Sequence, residues 1–225
     1  MKTLLFGAAL AATVLTGAAS ASTVNVQYQP SGLFGPNNLY KTVRINTAGP
    51  GYDGRVKAGL FFLNGDKGMG DFLALCIDLV QYMNNPTEYT ITPSLIAGAV
   101  RDNVDKLFTT ALGGGTLGGV INTKVKAAGF QIALWEILND TGAAFDLTSG
   151  NFSMSQNAAV QAKAEQYLSA ITPGAAMGGY DMTFLASTDY QDVMTVTPVP
   201  LPATGILLAF GIGGLFAARR RRKAG

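Results

Sequence analysis

Thr23 to Tyr28 alternates polar and apolar positions, the period of a half-buried β-strand. Tyr40 to Ile45 alternates again, with Val43 and Ile45 on one face. Arg55 to Leu63 reads as a further strand, closed by the turn residues Asn64-Gly65-Asp66-Lys67-Gly68. Phe72 to Val80 is more continuously apolar, which predicts a central strand covered on both faces. Glu88 to Ile91 makes a short strand. The period then becomes helical. Thr92 is placed to cap a helix with Pro93 in its first position, and Leu95, Ile96, Val100, Val104, Leu107 and Phe108 recur at helical spacing. Gly113-Gly114-Gly115 stops that helix. Asn122 or Thr123 opens a second helix through about Asn139, with Ala127, Phe130, Gln131, Leu134, Trp135 and Leu138 on one side and Thr141-Gly142 at its end. Ser155 to Ala170 predicts a third, Ala-rich surface helix. Tyr180 to Ala186 and Gln191 to Thr197 close the pattern as a hairpin through Ser187-Thr188-Asp189. Strands, then helices, then strands argue for an α+β fold: an antiparallel β-sandwich or barrel with an inserted helical layer. No internal repeat is present.

Both ends break from this pattern. Lys2, the apolar run Leu4 to Thr16 and the small residues Ala19-Ser20-Ala21 read as a secretory signal peptide over 1–21, cut before Ser22. The body spans 22–197, and a tail occupies 198–225. The tail runs Pro198-Val199-Pro200-Leu201-Pro202, then an apolar Gly-rich segment, then Arg219-Arg220-Arg221-Arg222-Lys223. A helix from Leu201 to Ala218 rises about 27 Å, enough for a single transmembrane span of a thin bilayer. The basic end places the C-terminus in the cytoplasm and the body outside. These residues predict an exported envelope protein, membrane-anchored at least transiently through its C-terminal helix.

Val199-Pro200-Leu201-Pro202-Ala203, followed by an apolar helix and the Arg219–Arg222 stop, resembles the VPLPA variant of the PEP-CTERM sorting signal of Gram-negative bacteria. The resemblance implies an exosortase-type membrane protease as partner. Leu201-Pro202-Ala203-Thr204-Gly205 also fits the LPxTG signal of Gram-positive sortases, but the compact signal peptide and short linker favour the first.

Composition narrows the chemistry of the body. The formal charge of +2 comes from the ends: Ser22 to Pro198 holds ten basic and fourteen acidic residues, a balance of −4. A mildly acidic body without a basic stripe is not a nucleic-acid binder. With no histidine and one cysteine, a Ser-His-Asp triad, a Cys-His pair and a structural zinc site are excluded. No phosphate-loop or EF-hand spacing occurs. No metal, cofactor or turnover enzyme is expected. The scattered carboxylates leave only a weak signal for glycoside hydrolysis.

Cys76 remains, the only thiol of an exported chain. It cannot form a disulfide within its own chain. A thiol attacking a glutamine carboxamide expels ammonia and leaves a thioester, a stored electrophile. That reaction needs the two groups held together, help for the thiol and the oxyanion, and exclusion of water. Cys76 lies on an apolar strand with Asp78 on the same face, and Gln131 lies on an apolar helix face with Trp135 one turn on, placed to roof the bond. The plain alternative is that Cys76 is a small buried hydrophobe and Gln131 bonds backbone.

Leu75-Cys76-Ile77-Asp78 followed by Phe130-Gln131-Ile132-Ala133-Leu134-Trp135-Glu136 resembles the thioester domains of bacterial surface adhesins. The resemblance implies a Cys76–Gln131 thioester that captures amines on a neighbouring surface, with Cys76 as the thiol and Gln131 as the acyl donor. Phe130 departs from the threonine common before the glutamine, and the long stalk of those adhesins is replaced by a short tail. Two readings follow. The first is an adhesive or matrix protein with a self-made thioester that takes an amine-bearing surface. The second is a non-covalent exopolysaccharide-binding or structural module with Cys76 inert in the core.

Overall fold

The computed structural model describes residues 22–47, 52–140 and 144–200. Its elements are β1 (Ser22–Tyr28), β2 (Tyr40–Thr47), β3 (Asp53–Gly59), β4 (Phe61–Gly65), β5 (Gly70–Cys76), β6 (Thr87–Thr92), α1 (Gly98–Leu112), α2 (Leu117–Val120), α3 (Lys124–Asn139), β7 (Phe152–Ser155), α4 (Ala158–Leu168), β8 (Tyr180–Ala186) and β9 (Val193–Pro198). Six strands close an antiparallel barrel in the order β1-β4-β5-β9-β8-β6. A second antiparallel sheet, β3-β2-β7, stands beside it, with α3 packed on β2 and β3 and flanked by α1 and α4. The mixed α and β class with an antiparallel barrel agrees with the patterning, and the separate three-stranded sheet adds to it.

The run read as one strand from Arg55 to Leu63 is two. It breaks at Leu60, and its halves serve different sheets. The break is steric: a Cβ on Gly59 would lie 2.2 Å from the Leu39 carbonyl oxygen, so only glycine permits β3 to pass so close to β2 before turning into the barrel. β7 pairs through Met154 with Ile45 and was masked in the sequence by the polar run that reads as helix from Ser155; the helix itself begins at Ala158.

The first helix does not start at Thr92. That residue pairs with Phe184 as the end of β6, and α1 begins at Gly98 after Ala97, without a side-chain cap. Sheet pairing outweighs the capping preference there. α3 starts where expected, with the Thr123 hydroxyl accepting from the Lys126 N–H. Its burial is wider than one side: every residue from Ala127 to Ile137 is buried, which makes α3 the central helix. Thr141-Gly142, the leader 1–21 and the tail beyond Pro200 lie outside the described residues. Among the described residues no helix is long and apolar enough to cross a membrane.

Candidate functional site

The barrel ladder leaves a gap at Cys76. β5 ends there, paired on one side to Val193 of β9, and the Ile77 N–H continues to the Asp192 carbonyl. The alternation of an antiparallel ladder therefore turns the Cys76 N–H and C=O the other way, toward β4. β4 begins only at Phe61, opposite Ala74. The next ladder position belongs to Gly59, which has already left for the second sheet. Cys76 thus loses its strand partner where the β3–β4 ribbon changes sheets.

Gln131 fills the gap. Its Oε1 accepts from the Cys76 N–H at 3.0 Å, and its Nε2 donates to the Cys76 carbonyl at 2.8 Å. The carboxamide substitutes for a strand's peptide group. Trp135, one turn on, donates from Nε1 to the same carbonyl at 3.1 Å. The indole anchors the strand end as well as lying beside it. All three residues are buried, at 1%, 1% and 3% exposure.

The thiol stands next to this pair. Its Sγ donates to the backbone carbonyl of Asp78 at 2.7 Å. The Asp78 carboxylate turns away to accept from the Val80 N–H, so Asp78 meets the thiol through its main chain. Gln191 Nε2 donates to the same Asp78 carbonyl at 2.8 Å and to Gln81, and the Tyr89 hydroxyl donates to the Gln191 carbonyl. Burial pushes the Cys76 thiol well above its ordinary pKa, and the nearby Asp78 and Asp192 charges act in the same direction. The resting group is the thiol. Gln191 and Tyr89 give no signal in the sequence, because neither falls in a motif; only closure of the barrel brings Tyr89 of β6 against Gln191 in the β8–β9 loop.

Cys76, Gln131 and Trp135 line a cavity of about 320 Å³ between barrel and second sheet. Phe34, Tyr52, Leu79 and Met83 make its walls apolar, Arg55 and Lys57 of β3 form one side, and among the described residues no carboxylate lines it. The rim loop after β5 leaves Val80 and Tyr82 at 62% and 75% exposure. Among the described residues no group of His, Cys, Asp and Glu is placed to hold a metal ion.

Val199 continues from β9, its N–H bonding the Gly179 carbonyl, and so ties the start of the tail to the body. Leu201, Pro202, Ala203 and Arg219–Arg222 lie outside the described residues. Residues 198–223 match the PEP-CTERM protein-sorting motif. The PEP-CTERM match selects exosortase over the sortase alternative and marks an exported, envelope-associated protein. It covers the tail and says nothing of the body's chemistry. No curated protein matches the chain. Among solved structures, the N-terminal domain of the Streptococcus pyogenes pilus tip adhesin Cpa is similar at 14% identity and a TM-score of 0.38, over 71% of this chain and 95% of that one. Likeness of that degree assigns neither fold nor function.

Proposed function

We propose that this PEP-CTERM protein is an adhesive or matrix component of the cell envelope whose Cys76 and Gln131 condense to an internal thioester. The observation that supports it is the seat of the Gln131 carboxamide on the Cys76 backbone, beside the only thiol of the chain. Attack by Cys76 Sγ on the Gln131 Cδ forms the S–C bond and breaks the C–N bond. The thiol proton leaves with the amide nitrogen as ammonia. The oxygen that gains charge is Oε1, already held by the Cys76 N–H, which serves as oxyanion donor. The Cys76 carbonyl loses Nε2 in this step and keeps the Trp135 indole N–H. The reaction happens once per chain, without turnover. An amine entering the cavity then takes the acyl group and returns Cys76 as the free thiol.

The apolar tail and its basic end hold the body at the bilayer until exosortase acts on the sorting motif. Peptide mapping after methylamine treatment tests the capture step: Gln131 is expected to carry N-methyl amide, and Cys76 to become alkylatable. An untreated chain in which Gln131 keeps its carboxamide and Cys76 alkylates as a free thiol once the chain is denatured contradicts it and favours the inert-core module.

A further inference from the structure

The same change of sheet that orphans Cys76 exposes a strand edge beside it. Leu60 N–H bonds the Leu39 carbonyl and Thr47 N–H bonds the Tyr52 carbonyl, fixing which β3 residues point at β2. Both lie on the β2–β3 register, so residues 54, 56 and 58 of β3 bond toward β2. Arg55, Lys57 and Gly59 therefore turn their N–H and C=O the other way. β3 is an edge strand, and among the described residues only the Tyr52 hydroxyl reaches this side, at the Arg55 carbonyl. In β4 the same side of the ribbon pairs with β5, since Phe61 lies opposite Ala74 and Leu63 opposite Phe72. The bare edge is thus the continuation of the β4–β5 ladder past the point where β5 stops at Cys76.

We propose that an extended acidic peptide adds to this edge as a strand, entering the ladder where β5 ends and carrying an amine-bearing side chain to the Cys76–Gln131 bond. Main-chain donors and acceptors at Arg55 and Lys57 supply the pairing, the mode by which peptides join sheet edges. Arg55 and Lys57 project from one face of β3 at the two-residue spacing of a strand, so acidic side chains on the added strand meet them across the ladder. Arg44, opposite Arg55, is already paired to Asp53 at 2.8 Å, whereas Arg55 makes no ion pair among the described residues. Among the described residues, the cavity that Arg55, Val56 and Lys57 share with Cys76 and Gln131 carries no carboxylate to oppose such a chain.

This docking rests on the thioester reading for its chemistry, but its geometry is testable without the bond. The full chain with Cys76→Ala is incubated with a synthetic peptide alternating glutamate and valine and bearing one lysine. Amide hydrogen exchange at Arg55 and Lys57 is expected to slow by about tenfold or more, while amides of the opposite barrel strand β8 are unchanged. The same peptide N-methylated at alternate backbone positions is expected to give no slowing. In the chain with native Cys76, Lys57→Pro leaves the β2 pairing intact, because the lost N–H points away from β2, and is expected to reduce peptide capture while sparing methylamine capture. Exchange at Arg55 and Lys57 that ignores the peptide, or slowing that survives N-methylation, overturns the proposal and leaves these residues as charges guarding a bare edge. Failure of the thioester itself shows separately, as retained ammonia in the chain with native Cys76.

Discussion

Gln131 and Glu136 lie on successive turns of α3 and are equally buried, yet the fold treats them in opposite ways. Gln131 spends both ends of its carboxamide on one residue, Cys76. Glu136 has one oxygen bonded to the Asp146 N–H and the other, Oε2, without a partner among the described residues. A neutral amide completes a broken ladder at little cost, whereas a buried carboxyl is tolerated by staying protonated. Burial, reinforced by Asp140 and Asp146, pushes the Glu136 pKa up to about 7. The difference separates a group that completes a strand end beside a thiol from one that holds a loop against the helix.

Breaking the Gln131 side of this contrast has the larger expected effect. Gln131→Ala leaves the Cys76 N–H buried without an acceptor and opens a cavity, a loss of about 3 kcal/mol in denaturant unfolding, together with all amine capture. Glu136→Gln sharpens the other side. A carboxyl whose folded pKa is raised binds its proton more tightly in the native state than in the unfolded chain. Its contribution is therefore full below the unfolded value near 4.5 and lost as pH rises toward 7. Over that window stability is expected to fall by roughly 2 kcal/mol, and Glu136→Gln flattens the slope. A slope unchanged by the substitution assigns the effect to another group.

The smallest expected effect is at Trp135. Trp135→Phe keeps the apolar body of the ring and removes the donor to the Cys76 carbonyl, for about 1 kcal/mol. In the condensed form the indole N–H is the donor left at that carbonyl, so the substitution is expected to lower the yield of condensed chain more than it lowers the melting temperature. Equal losses would make Trp135 a packing residue alone.

Much of the frame was legible because local signals and tertiary pairing agree. The Thr123 cap, the span of α3 and the β8–β9 hairpin all follow from nearby residues. Cys76 stands out by composition and Gln131 by its place on an apolar helix face and in the resembling motif, and the two come together in space. What stayed hidden depends on distant pairing. Ala58 to Leu63 carries no polar or proline break, and Gly59 is its one local mark; that this glycine sits at a change of sheet, which creates both the gap at Cys76 and the bare edge of β3, depends on its approach to the distant Leu39 carbonyl. Thr92 looks like a helix cap until Phe184 claims it for the barrel. Asp78 looked like a carboxylate for the thiol, yet the loop turns that carboxylate to Val80 and offers the carbonyl in its place.

The most direct measurement is the intact mass of the purified full chain beside its Cys76→Ala variant. The chain with native Cys76 is expected to be lighter than its sequence by one ammonia beyond any terminal processing shared with the variant, and methylamine is expected to add one methylamine to it and none to Cys76→Ala. Equal processing with no ammonia missing, and no methylamine taken up, would contradict the internal thioester.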